Sequence, residues 1–256
     1  MNYQIILFGS PGSGKSYVID KTLKYLNLEK PDIYKIDEYI KKDKNYHSDM
    51  MNILSSIFPK NISKEKIGEY IKNNKSISKK ISDIYYIHRK KIEKKMNDEI
   101  KQSCKNNKNI LIETIGLKFP YNLKNINKNT DLYLVFTFKK FEKLVSGNFE
   151  RSINKIQSFV NSNFTTEPPR IYLSSNEQLK FINTKLVILF IDLILDYMKN
   201  NSFEITKGDF SGIKFRIIVF NSEDYSLIFD SNNIPTDNTK YKYLYNISQK
   251  IINNIL

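Results

Sequence analysis

The sequence predicts an α/β fold with a mainly parallel sheet, and three observations carry that prediction. Short apolar runs alternate with stretches of helical periodicity along most of the chain, the order that builds a parallel sheet covered by helices. One run, Asn109 to Glu113, is almost continuously apolar, as in strands buried on both faces. A glycine-rich turn joins the first apolar run directly to the first periodic stretch.

Taken in order, Tyr3 to Phe8 reads as a strand, and Ser16 to Leu26 as a helix with Val18, Ile19, Leu23 and Leu26 on one stripe. Pro31 breaks the chain, and Ile33 to Ile36 reads as a second strand ending at Asp37 and Glu38. Residues 47–105 are polar and helical in pattern, punctuated near Asn61 to Lys64 and Asn73 to Ser78, which predicts a helical insert of two or three helices between the second and third strands. Asn109 to Glu113 and Asp131 to Phe138 are the third and fourth strands. A polar helix follows at about 140–160, then a loop containing Pro168 and Pro169. Gln178 to Lys199 reads as a largely buried apolar helix. Ile213 to Phe220 and Tyr225 to Phe229 form a strand pair joined by an acidic turn, and Thr239 to Leu256 a closing helix. There are no internal repeats and no linker, so 1–256 is expected to form one domain. Within it, 47–105 is the insert, 140–175 a lid-like region, and 210–256 the terminal strands and helix.

A chain of 256 residues can bury roughly 70–75% of its unfolded surface without a disulfide or metal. The single cysteine, Cys104, excludes an intramolecular disulfide and suits a reducing compartment. No run of 18 apolar residues occurs, and the chain enters its first strand at once, so neither a membrane span nor a signal peptide is expected. The expected location is the cytoplasm, or the host cytoplasm for a viral source. With two histidines, His47 and His88, and no Cys/His cluster, zinc is not expected as a cofactor. The net charge of +14 favours anionic partners such as nucleotides, sugar phosphates or nucleic acid. The excess is lysine, scattered among asparagine and isoleucine in the manner of an AT-rich genome. Only Arg89, Arg151, Arg170 and Arg216 are arginine, and in a chain that drifts to lysine such positions invite attention to the planar guanidinium fork.

Gly9-Ser10-Pro11-Gly12-Ser13-Gly14-Lys15-Ser16 fits G-x-x-x-x-G-K-[ST] at every fixed position. The glycines let successive N–H groups turn toward phosphate oxygens, and the helix that starts near Lys15 adds its positive end. Lys15 is expected to meet the β- and γ-phosphates of ATP, the Ser16 hydroxyl to ligate Mg²⁺, and Tyr17 to border the nucleotide. The motif refines the fold prediction to a P-loop NTPase three-layer sandwich. Asn127-Lys-Asn-Thr130 lacks the aspartate of a guanine-reading motif, and a motor or helicase would be longer. Asp37, on the strand after the loop's helix, stands where small-substrate kinases carry a carboxylate that orients an acceptor hydroxyl and takes its proton.

Four stretches in this order resemble the zeta-toxin kinases, P-loop enzymes related to polynucleotide kinases and chloramphenicol phosphotransferases. They are the loop itself, Asp37-Glu-Tyr39 with Asn45-Tyr46, Ile110-Leu-Ile-Glu113, and Gly147-Asn-Phe-Glu-Arg151. The resemblance runs over about residues 3–230 and includes Phe210 to Phe229. It implies ATP·Mg²⁺-dependent phosphorylation of a small hydroxyl-bearing acceptor, with a UDP-activated amino sugar first in line, and it leaves room for an antitoxin-like protein partner. It implies Asp37 as the base facing the acceptor, Glu113 as a carboxylate that holds the acceptor or a Mg²⁺-bound water or else forms a structural ion pair, Arg151 as a charge over the γ-phosphate, and Arg170 as a second clamp. Arg89 and Arg216 are expected to be structural. The family element I-E-G-T-x-R reads Ile112-Glu-Thr-Ile-Gly-Leu117 here, which touches the acceptor pocket. Two other readings stand beside the first: a 5′-hydroxyl polynucleotide or nucleoside kinase, for which the lysine-rich 60–105 segment would supply a basic groove, and a nucleotide-binding interaction module that has lost catalysis.

Overall fold

The computed structural model describes residues 2–115, 130–168, 176–205 and 211–255. Arg170, Pro169, Gly116 and Leu117 lie outside the described residues. Strands β1 (Tyr3–Gly9), β2 (Asp32–Lys35), β3 (Ile110–Thr114), β4 (Asp131–Phe138), β5 (Phe215–Asn221) and β6 (Leu227–Asp230) form one sheet in the order β2-β3-β1-β4-β5-β6. Pairing is parallel from β3 through β1 and β4 to β5, and antiparallel between β5 and β6. The α/β class with a mainly parallel sheet is therefore as expected.

The described helices are α1 (Lys15–Leu26), α2 (Ile36–Lys41), α3 (Lys44–Ile57), α4 (Lys64–Asn73), α5 (Lys75–Lys105), α6 (Phe141–Asn161), α7 (Asn176–Asn200) and α8 (Lys240–Ile255). Side chains explain where several begin. Asp43 accepts from the amides of Asn45 and Tyr46 at 2.8 and 3.1 Å and caps α3, and Ser63 caps α4 through Lys66 N. Each cap satisfies donors that a helix start leaves unpaired.

Two compact units divide the chain: Met1–Tyr34, Glu99–Leu144 and Gln178–Leu256 in the first, Lys35–Asp98 and Val145–Glu177 in the second. In the first unit the sheet is covered on both faces. Alternation along β1 sends Ile6 and Phe8 to a core shared with Phe136, Phe190 of α7 and Leu244 of α8, and Tyr3, Ile5 and Leu7 to a core with Val18 and Ile19 of α1. Every residue of β1 is buried. This is the three-layer arrangement the glycine-rich loop implies. The second unit is helical, with Ile40, Tyr46, Met50, Leu54, Ile67, Tyr85, Ile156 and Phe159 among its buried residues.

Two local expectations change, those for the end of the second strand and for the burial of α7. The second strand ends at Lys35, and Asp37 lies in the first turn of α2 rather than at a strand end. The acidic pair Asp37 and Glu38 favours helix there because carboxylates suit a helix N-terminus. Strand β2 also sits at the sheet edge, with β3 between it and β1. Finally, α7 is not wholly covered: Phe181, Ile188 and Leu195 are about half exposed, at 55%, 44% and 54%.

Candidate active site

The site is built where β1 ends. A Cβ on Gly9 would stand 2.4 Å from Ser13 Oγ, 2.7 Å from Thr137 Cγ2 and 2.9 Å from Lys15 Cγ, so only glycine lets the loop close on itself. Gly12 and Gly14 have φ of 82° and 78°, the left-handed region that L side chains avoid. Ser13 N donates to Ser10 O at 3.0 Å and closes the turn. Gly14 is the N-cap of α1, whose first amides receive no side-chain cap. The loop thus presents backbone N–H groups and a helix N-terminus together.

Lys15 is buried, and its Nζ donates to Gly9 O at 2.9 Å and Ser10 O at 3.1 Å, with Glu113 Oε1 at 3.6 Å. Glu113 reaches it because β3 pairs with β1 in a register that sets Glu113 beside Leu7. The structure therefore brings Gly9–Ser16 and Glu113 together. Ser16 and Tyr17 are exposed at the mouth of the cradle.

Several supporting residues had not been singled out from the sequence. Thr137 Oγ1 donates to Ser13 O at 3.1 Å, and Lys139 Nζ contacts Gly12 O at 3.5 Å, both from the end of β4. Ser10 Oγ donates to Asn183 Oδ1 at 2.9 Å, which ties the loop to α7. Across the loop, Tyr225 and Ser222 approach Gly14 from the β5–β6 turn. The Lys143 ammonium at 2.9 Å, with Lys140 and Lys139 near, holds the Glu223 carboxyl below its ordinary range. No single residue type marked these positions; only the sheet's register gathers them.

Asp37 and Arg151 belong to the second unit. The Tyr85 hydroxyl donates to Asp37 Oδ1 at 3.4 Å. Arg151 is exposed on α6, and nothing lies within 4 Å of where a Cβ on Gly147 would stand. Of the Asn45-Tyr46 pair, Tyr46 is fully buried in the second unit's core. Arg170 lies outside the described residues.

At the opposite end of the sheet, Arg216 grips Asp230 with two bonds, Nε to Oδ1 at 2.9 Å and Nη2 to Oδ2 at 2.6 Å. The Tyr25 hydroxyl also donates to Asp230. Burial pushes the Asp230 carboxyl up, but the hydrogen bonds from Arg216 and Tyr25 outweigh it and hold the group below its ordinary value.

The cradle fits a nucleoside triphosphate with Mg²⁺. Its glycines hold the required backbone, its cation is in place, and Ser16 follows at the exposed start of α1. No group of three His, Cys, Asp or Glu side chains among the described residues could hold a metal alone.

Fold and loop together define a P-loop protein of the three-layer α/β class. No family model matches the sequence, and no curated protein matches it either. Among solved structures, the chain is similar to one from the PezAT chromosomal toxin–antitoxin system of Streptococcus pneumoniae, with 16% identity and a TM-score of 0.49, covering 99% of this chain and 86% of that one. It is also similar to a candidate kinase of Chloroflexus aurantiacus J-10-fl, with 10% identity and a TM-score of 0.41 over 100% of this chain and 99% of that one. At such identities neither likeness assigns a residue a role. No described helix is long and apolar enough to cross a membrane.

Proposed function

We propose that the protein is a kinase that transfers the γ-phosphate of ATP to a hydroxyl of a small acceptor. The observation that carries this reading is Lys15, held by Gly9 and Ser10 at the floor of a glycine cradle and set 3.6 Å from Glu113. In that place an ammonium can exchange its carbonyl partners for β- and γ-phosphate oxygens and stabilise charge as it grows on the transferring group. The amides of the loop and the start of α1 orient the chain of phosphates. Ser16 would hold Mg²⁺, which supplies neutralisation of phosphate charge.

The acceptor oxygen attacks the γ-phosphorus, the bond to the β–γ bridging oxygen breaks, and ADP leaves. Asp37 is proposed to take the acceptor's proton, Arg151 and Arg170 to neutralise the transferring group, and Glu113 to hold the acceptor. These roles rest on the sequence resemblance. A UDP-activated amino sugar is the first acceptor to try, and an antitoxin-like protein is the partner that reading suggests.

The test is phosphotransfer from γ-labelled ATP to a panel of sugar nucleotides, nucleosides and 5′-hydroxyl oligonucleotides. Asp37→Asn should lower kcat by about 10²–10⁴-fold with ATP affinity nearly unchanged, the range general-base catalysis supplies. Full activity in that variant removes Asp37 as the base, and transfer to nothing in the panel removes the kinase reading.

A further inference from the structure

We propose that Tyr17 and Tyr225 form a stacking platform for the purine base of the bound nucleoside triphosphate, a reading that rests on the phosphate-cradle assignment above. The two tyrosines come from separate elements and meet beside the loop, with ring centroids 5.6 Å apart and planes inclined by 32°. Tyr17 projects from the first turn of α1, immediately after the cradle, and is 69% exposed. Among the described residues it is the most exposed of the large hydrophobic side chains.

Tyr225 is held in place at a conformational cost. Its φ is 57°, and a left-handed backbone is a genuine outlier for a bulky residue. The turn that imposes it is pinned at several points. Asn221 Oδ1 accepts from Glu223 N at 3.0 Å, and Asp224 Oδ1 accepts from Ser226 N at 3.0 Å and Ser226 Oγ at 2.7 Å. Ser222 N donates to Phe138 O at 3.2 Å and Asn221 N to Ser226 O at 2.9 Å, which fix the turn to the sheet. The result is a ring whose Cε1 and Oη lie 3.4 and 3.6 Å from where a Cβ on Gly14 would stand. The ring therefore borders the last glycine of the cradle. Strain of this kind persists where the surrounding structure over-determines it, and such places tend to be ligand clamps.

Two polar groups point independently to a ligand here. Ser13 Oγ, in the loop itself, and Ser222 Oγ, in the wall behind Gly14, are both buried and have no hydrogen-bond partner among the described residues. Buried hydroxyls without partners are rare and call for a group that supplies one. Among the described residues neither tyrosine hydroxyl makes a hydrogen bond, so each ring keeps a polar rim as well as a face.

The two rings touch each other, so a base lies against the outer face of the pair and does not slide between them. Stacking on a ring is tolerant of the base's hydrogen-bonding edge, because every base has a π-face. The platform should therefore favour purines, which have the larger face, and accept adenine and guanine alike.

The experiment is calorimetric titration of the full chain with ATP, GTP and inorganic tripolyphosphate, for wild type and for Tyr17→Ala, Tyr225→Ala and Tyr225→Phe. Each alanine variant should raise the Kd for ATP and for GTP by about 5- to 100-fold, the loss expected for one stacked base. The Kd for tripolyphosphate should stay the same, and Tyr225→Phe should retain the ring and the affinity. Tyr17→Ala truncates an exposed side chain, so it reports even where Tyr225→Ala fails to fold. ATP affinity unchanged in Tyr17→Ala overturns the platform, as does an equal loss for ATP and tripolyphosphate. A wild type that binds tripolyphosphate but gains nothing from a base also overturns it while sparing the cradle. A wild type that binds neither overturns the cradle and the platform together.

Discussion

The two ends of the sheet each hold a cation beside a carboxylate, and they hold it differently. At the start of β5, Arg216 and Asp230 share two short bonds, and Tyr25 adds a third donor to the same carboxylate. At the end of β1, Lys15 stands 3.6 Å from Glu113 and spends its donors on the carbonyls of Gly9 and Ser10. A planar fork matched to a carboxylate is a fixed joint; a rotatable ammonium beside carbonyl oxygens can change partners. One end of the sheet is built to stay as it is, and the other holds a cation that is able to change partners.

The sharpest way to break that contrast is Lys15→Ala. Phosphotransfer should fall by at least about 10²–10³-fold, the cost of losing one well-placed electrostatic donor, while the thermal midpoint moves little. A large fall in the midpoint with activity retained would show that Lys15 is a structural residue like Arg216.

Asp230→Ala should do the reverse. Asp230 is buried and Arg216 keeps some contact with water, so the loss should be about 3 kcal/mol, at the low end for a broken buried pair. That corresponds to a midpoint drop on the order of 10 °C, read by circular dichroism. Tripolyphosphate affinity should be unchanged, because the pair lies at the other end of the sheet.

The same pair sets an acid limb. Asp230 has a folded-state pKa below its unfolded value, so its contribution is present above about pH 4 and is lost as pH falls through the folded value. Urea titrations across that range should show wild type losing stability that Asp230→Asn never had. Smallest is Arg216→Lys, which keeps the charge and loses the fork; about 1 kcal/mol of stability should go, measured by the same titration.

Much of the first unit could be read from residue order. Strand β1 is marked by its apolar run, helix α1 by its apolar stripe, and the loop between them by three glycines between positions 9 and 14, each of which the loop's backbone requires or tolerates. What escaped was set by contacts between distant residues or by local hydrogen bonds that override propensity. Ile36 looks like a strand residue, but Asp37 and Glu38 beside it favour a helix start. Tyr225 has high strand propensity, yet Asp224 captures Ser226 and turns the backbone left-handed before β6 begins at Leu227. Arginine scarcity drew attention to Arg151 and Arg170 as functional and treated Arg216 as structural. The Arg216–Asp230 partnership itself spans 14 residues and a register shift between β5 and β6, which no spacing rule anticipates. Glu113 was legible as a carboxylate ending an apolar strand; its nearness to Lys15 needed the β1–β3 register.

Cys104 carries a practical consequence. It is the chain's only thiol, it is buried, and Gln4 Nε2 on β1 lies 3.3 Å from its sulfur. Burial pushes its ionisation up, so the reactive thiolate is scarce while the sulfur stays covered. Thiol-directed reagents can therefore modify the protein at one place, and slowly while the sulfur stays covered. The rate of that reaction, followed with and without nucleotide, is a built-in clock for how often the cover over Cys104 opens.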